Sequence, residues 1–191
     1  MRLVAPVVSS TVRAVLQQAA SASPTYDGPE ALSLGAPPAG FALHRYDVDV
    51  GRGRADLDRG RDGLRNWAAH RVAGVRIHPP STPVSLGCVY VVTLGTPLLA
   101  IAAPCVVTRV TDEGTHWGFS YRTLHGHPEI GEEAFDVWLD ASDEVRFGIV
   151  AVSRHAGVLM GLAGPAARLV QRRVTVAYGR SLRDAVRSGA A

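Results

Sequence analysis

Hydrophobic and polar positions alternate along much of this chain, and the predicted element changes wherever the period changes. Tyr46, Val48 and Val50 alternate with Asp47 and Asp49, the period-two pattern of a strand burying one face, and the turn residues at 51–53 end it. Leu57, Leu64, Trp67 and Ala68 then recur at near-helical spacing among Asp and Arg, which predicts an amphipathic helix over 55–71 packed through Leu64 and Trp67. Gly60 and Gly63 weaken that helix. Residues 75–78 read as a short strand closed by Pro79 and Pro80, whose rings carry no donor for a ladder. Apolar, β-branched runs at 88–94 and 98–110 form a hairpin across Gly95, Thr96 and Pro97, and further strands follow at 115–121, 134–139 and 145–153. Alternation puts Phe135, Val137 and Leu139 on one face and Asp136 on the other. The connection over 122–131 is polar. After a short helical turn at 157–162 the period becomes helical again. Leu162, Ala166, Leu169, Val170, Val174, Ala177 and Tyr178 make an apolar stripe, Arg168, Arg172, Arg173 and Arg180 lie largely off it, and Pro165 suits a first turn. Leu169 and Val170 are expected to pack on the sheet, with Arg172 turned outward.

The first forty residues differ in kind. A short helix over 11–20 leads into a stretch broken by Pro24, Gly28, Pro29, Gly35, Pro37, Pro38 and Gly40. Residues 1–40 are therefore expected as a peripheral segment and 41–188 as a single α+β domain, with a curved antiparallel sheet wrapped around a long C-terminal helix and a short helix after the first strand.

Composition narrows the function classes. With 47% hydrophobic and 19% charged residues, the 191-residue chain has the balance of a packed globular protein. Its basic residues are all arginine, and a net charge of +3 is too small an excess to nominate a nucleic acid as partner. Cys88 and Cys105 form no CxxC pair, so no zinc site, metal or cofactor is expected, and free thiols suit a reducing, cytoplasmic setting. Pro6, Ser9, Ser10, Thr11 and Arg13 interrupt the apolar N-terminus before a signal core develops, and no run is long enough to cross a bilayer.

Several segments carry a resemblance. The stretch GFSYRTLHGHPEIGEEAF at 118–135 resembles a motif of the uncharacterised family DUF1990 (UPF0548), and LRNWAAHRVAGVRIHPP at 64–80, APC at 103–105 and GPAARLVQRRVTVAY at 164–178 agree with it in the same order. The resemblance spans 24–187. It departs at Arg122, where glycine is usual, and at His125 and Ile130, where proline and arginine are common. That family has no established activity, so the resemblance implies a fold and leaves function open. The order of elements resembles the helix-grip fold of the START and birch-pollen-allergen superfamily, which implies a ligand cavity between sheet and helix.

His125, His127, Glu129, Glu132 and Glu133 are the densest set of groups able to move protons or bind metal. Their spacing matches no zinc motif, and the competing reading is a structural turn, with His127 held extended before Pro128 and glycines at 126 and 131. His127, Glu132 and Glu133 are the catalytic candidates. Trp67, Phe119, Tyr121 and Trp138 are the candidates for lining a ligand cavity, against the plainer role of filling the core beside Trp117 and Phe135. His70 and His78 read as surface or helix-end residues. A symmetric 88–110 hairpin sets Cys88 opposite Cys105 as unbonded neighbours, unless Pro104 introduces a bulge. No GxSxG, GxxxxGKS or strand-linked GxGxxG occurs. Three readings follow: a domain binding a small, largely apolar molecule; an enzyme using the His/Glu-rich segment 125–133; and an interaction module using the arginine-rich last helix. Oligomeric state is not legible.

Overall fold

The computed structural model describes residues 3–4, 9–79, 83–96, 100–156 and 164–189, with side chains described from 11 onward and, in the last helix, from 172. In chain order the elements are β1 (Leu3–Val4), α1 (Ser9–Ala19), β2 (Ala42–Arg52), α2 (Gly53–Arg65), β3 (Val75–His78), β4 (Val89–Gly95), β5 (Ala100–Glu113), β6 (His116–Thr123), β7 (Glu129–Leu139), β8 (Glu144–His155) and α3 (Gly164–Ser188). Single 3-10 turns occur at Ala31–Ser33 and Ala68–His70. The strands form one antiparallel sheet in the order β2-β8-β7-β6-β5-β4-β3, with β1 paired to β5 off that path.

Strand parity gives the sheet two faces. On the inner one, Phe147 and Ile149 of β8, Phe135 and Val137 of β7, Trp117, Phe119 and Tyr121 of β6 and Tyr90 of β4 meet Leu57 and Leu64 of α2 and Tyr178 and Leu182 of α3. Helix α2 follows β2 with no intervening loop. Gly53 takes a positive φ of 75°, which a side chain would resist, and the Asp56 carboxylate accepts the Arg52 N–H at 2.7 Å, satisfying a free donor at the helix start. The glycines that weaken this helix in the sequence seat it in the fold. A Cβ on Gly60 would stand 3.0 Å from Val137 Cγ2, and one on Gly63 3.0 Å from Leu182 Cδ1.

Helix α2 ends at Arg65, well short of 71. Trp67 adopts a left-handed conformation (φ 62°), so its indole packs 4.6 Å from the Tyr90 ring and 5.5 Å from Phe119. Burying that indole among aromatic rings outweighs continuing the helical period that the spacing of Trp67 extends.

The outer face is covered in part by the N-terminal segment. Val15 of α1 packs on Val91 and Ala102, while Tyr26 and Ala31 pack on Val150 and Val152. Arg122 and Glu132 fasten this cover. Arg122 Nε meets Glu132 Oε2 at 2.8 Å, its other nitrogens donate to the carbonyls of Tyr26 (3.3 Å) and Gly28 (3.0 Å), and Glu132 Oε1 accepts the Ala31 N–H at 2.9 Å.

Two sequence expectations change. The polar connection contracts to 124–128, because β6 runs to Thr123 and β7 begins at Glu129; Phe135 and Val137 do lie opposite Asp136 in face. Tyr90, not Cys88, stands opposite Cys105, a register two residues away from the symmetric hairpin. Both cysteines remain free. Pro104 pairs with Val91 in unbroken register, and the bulge falls instead between Val107 and Arg109 on the β6 side. The turn residues 97–99, the helical turn at 157–162 and the side chains of Leu169 and Val170 lie outside the described residues.

Candidate functional site

The inner face of the sheet carries a group of polar side chains among its aromatic rings. Glu133 of β7 is two residues from Phe135 and shares its face, and the Tyr121 hydroxyl donates to its Oε2. Burial raises the Glu133 carboxyl to about 7; the Tyr121 bond acts against this, and the negative charge of Glu129 adds to it. Nearby, the buried Tyr90 hydroxyl has no hydrogen-bond partner. Tyr90 stands opposite Cys105 in the β4–β5 register, and the Cys105 thiol donates to the Ala103 carbonyl instead. Burial pushes the tyrosine hydroxyls of 90, 121 and 178 and the Cys105 thiol upward, so all four are neutral near pH 7.

His70 belongs to this interior. Read from the sequence as a surface or helix-end residue, it does close the 3-10 turn but is only 3% exposed, with its ring 4.6 Å from Tyr178 and 4.9 Å from Phe135. Burial lowers its imidazole to about 3, and Nε2 has no partner.

A cleft of about 530 Å³ opens between the sheet and α3. Its walls are His44 and Tyr46 of β2, Ile149 and Ala151 of β8, and Arg172, Thr175 and Val176 of α3, and Glu133 reaches it from β7. The same strand parity that buries Phe135 and Ile149 sends Glu133 and Ala151 to this face.

The three catalytic candidates from the sequence go to three places. Glu133 opens onto the cleft. Glu132, on the opposite face, is held by Arg122 and the Ala31 amide. His127 sits in the 124–128 connection, where its Nδ1 accepts the Glu129 N–H at 2.9 Å; the residue keeps some surface, but its ring is sunk deeply enough that burial lowers its pKa to about 4, the Glu129 backbone partly opposing. Of the four ligand-lining candidates, Trp67, Phe119 and Tyr121 gather in the aromatic core. Trp138 lies on the outer face, with Cζ3 2.9 Å from where a Gly148 side chain would begin. None of these four lines the cleft. Tyr90, Tyr178, Ile149 and Arg172 were not singled out with Glu133, because only strand register and the seat of α3 bring them near it. Among the described residues no three His, Cys, Asp or Glu side chains are placed to hold a metal ion, and no helix is long and apolar enough to cross a membrane.

An antiparallel sheet curled over a C-terminal helix, with a cleft between the two, defines a helix-grip domain. The model of the domain of unknown function DUF1990 matches residues 25–181, and the chain belongs to that family. Among its relatives, the UPF0548 protein At2g17695 of Arabidopsis thaliana is 31% identical over 139 residues, covering 70% of this chain and 67% of that protein. A UPF0548 protein of Deinococcus radiodurans is 30% identical, covering 95% of this chain and 97% of its own. The crystal structure of hypothetical protein jhp0584 from Helicobacter pylori shares the fold at a TM-score of 0.54 and 12% identity, over 75% of this chain and 86% of that one.

Proposed function

We propose that this chain is a binding domain that holds a small, largely apolar molecule in the cleft beneath α3, within the reducing cytoplasm that its free thiols suit. The observation that carries this reading is the cleft itself: a volume in the range of small-molecule sites, with apolar walls from Ile149, Ala151 and Val176 and a few polar groups converging on it. The aromatic core is not the binding volume, since Trp67, Tyr90 and Phe119 fill it with their own rings. Native mass spectrometry of freshly purified protein is expected to show a bound species that Ile149→Trp, which fills the cleft from β8, displaces. Retention of the same species by a folded Ile149→Trp protein contradicts the assignment.

A second reading draws on one specific observation. A carboxyl near 7, bonded to a tyrosine hydroxyl and open to a cleft, has the properties of a general acid or base. Under this reading Glu133 moves a proton on the bound molecule. Glu133→Gln then abolishes turnover while leaving binding intact; loss of binding alone favours the plain binding domain.

A further inference from the structure

We infer that the cleft takes an anionic amphiphile, a molecule with a compact apolar body and one carboxylate-like end, whose charge is met by Arg172 and whose inner oxygen meets Glu133. This rests on the binding reading above and adds the chemical class of the ligand.

The charges around the cleft support it. Arg172 is exposed on α3 and lines the cleft, and it has no carboxylate partner among the described residues. Other arginines that approach the sheet are engaged: Arg109 with Asp136, Arg122 with Glu132, and Arg146 with Asp47 and Asp49. Arg45 also borders the cleft, but its guanidinium donates to the Leu34 carbonyl. Among the described residues, the one acidic side chain on the lining is Glu133. A cationic ligand would meet an unneutralised guanidinium, and a neutral one would leave it unused. An anion gains a charge-assisted pair there while its hydrocarbon covers Ile149, Ala151 and Val176.

Glu133 makes such binding depend on pH. It shares β7 with Glu129 and faces Tyr121 of β6, Tyr90 of β4, Cys105 of β5, and Tyr178 and Arg172 of α3, with His44 of β2 on the rim. Burial keeps the three hydroxyls and the thiol protonated, so they stay uncharged as Glu133 titrates at about 7. Below that point its carboxyl is neutral and can donate to the ligand's oxygen; above it, two negative charges meet at the inner end of the cleft.

The test is isothermal titration with octanoate, octan-1-ol and octylamine at about pH 6 and about pH 8.5, where octanoate is ionised throughout. Wild type, Arg172→Gln and Glu133→Gln are compared, each first shown to be folded by its thermal midpoint. At about pH 6 octanoate is expected to bind at least about tenfold more tightly than octanol, with that preference lost in Arg172→Gln. Octanoate affinity is expected to fall at about pH 8.5 in wild type and to stay level in Glu133→Gln. Octanol binding as tightly as octanoate, octylamine binding more tightly, or a preference unchanged in Arg172→Gln overturns the anionic assignment and leaves the binding reading standing. Octanoate affinity that is level with pH in wild type removes Glu133 from the contact. Failure of all three probes to bind overturns both.

Discussion

Glu133 and His70 lie on the same side of the sheet, and burial drives their protonation in opposite senses. The Glu133 carboxyl is raised from 4.5 to about 7, so between those values the folded chain keeps a proton that the unfolded chain releases, and stability falls as pH rises through that window. Glu133→Gln removes this slope. The change in urea midpoint from about pH 5 to about pH 8 is expected to be more positive in the variant than in wild type, because His70 and His127 act in the opposite sense over the same range; an identical change would assign the slope to other groups. His70, lowered from 6.5 to about 3, refuses a proton that the unfolded chain accepts, so its contribution is lost as pH drops below 6.5. His127, lowered to about 4, acts in the same direction. His70→Phe, whose ring suits Phe135 and Tyr178, is expected to shift the acid-unfolding midpoint to lower pH by circular dichroism, and a midpoint moved upward would contradict this. At this scale the sequence identified Glu132 and Glu133 as a pair but could not separate them. Alternation from Phe135 would have sent them to opposite faces, but the strand's polar first half, Glu129 to Glu133, has no apolar alternation to extend it.

Elements depart from their sequence patterns where tertiary packing competes with local period. Helix α2 stops at Arg65 because Trp67 turns inward, and β7 begins at Glu129 because Arg122, Ala31 and Tyr121 satisfy its glutamates. Both α2 glycines act as contact points. Gly60→Leu is expected to cost about 1–3 kcal/mol by overpacking against Val137, measured by chemical denaturation, and a gain from better helix propensity would show that α2 can shift outward. Leu182, fully buried against α2, is the described residue that best tests whether α3 closes the core. Leu182→Ala is expected to cost about 2–5 kcal/mol, and a value near zero would detach the helix from the core. Arg122 holds residues 26–31 to the sheet through Glu132. Arg122→Gly is expected to speed limited proteolysis within 20–40 while leaving the rest of the chain resistant, and an unchanged cleavage rate would mean that Tyr26 and Ala31 hold the segment without it.

Across the whole molecule, the succession of strands along the chain, the antiparallel sheet and the long final helix were legible because each strand carries its own alternation and turn residues, whereas the β2–β8 pairing that brings the first long strand beside the last was not. The cleft was not. It is bounded by β2, β8, β7 and α3, elements separated by up to more than a hundred residues, and strand-by-strand patterns do not report where a helix leaves space. Of the aromatic residues that the sequence nominated for a cavity, Trp67, Phe119 and Tyr121 fill the core and Trp138 lies on the outer face, while the cleft opens where Ala151 and Val176 stand. The claim that the space beneath α3 is a ligand site is tested most directly by amide and methyl NMR during titration with octanoate. Shifts moving together at Ile149 and Ala151 on one wall and at Thr175 and Val176 on the other are expected. Shifts confined to the outer face around His116 and Trp138, or none at all, would contradict it.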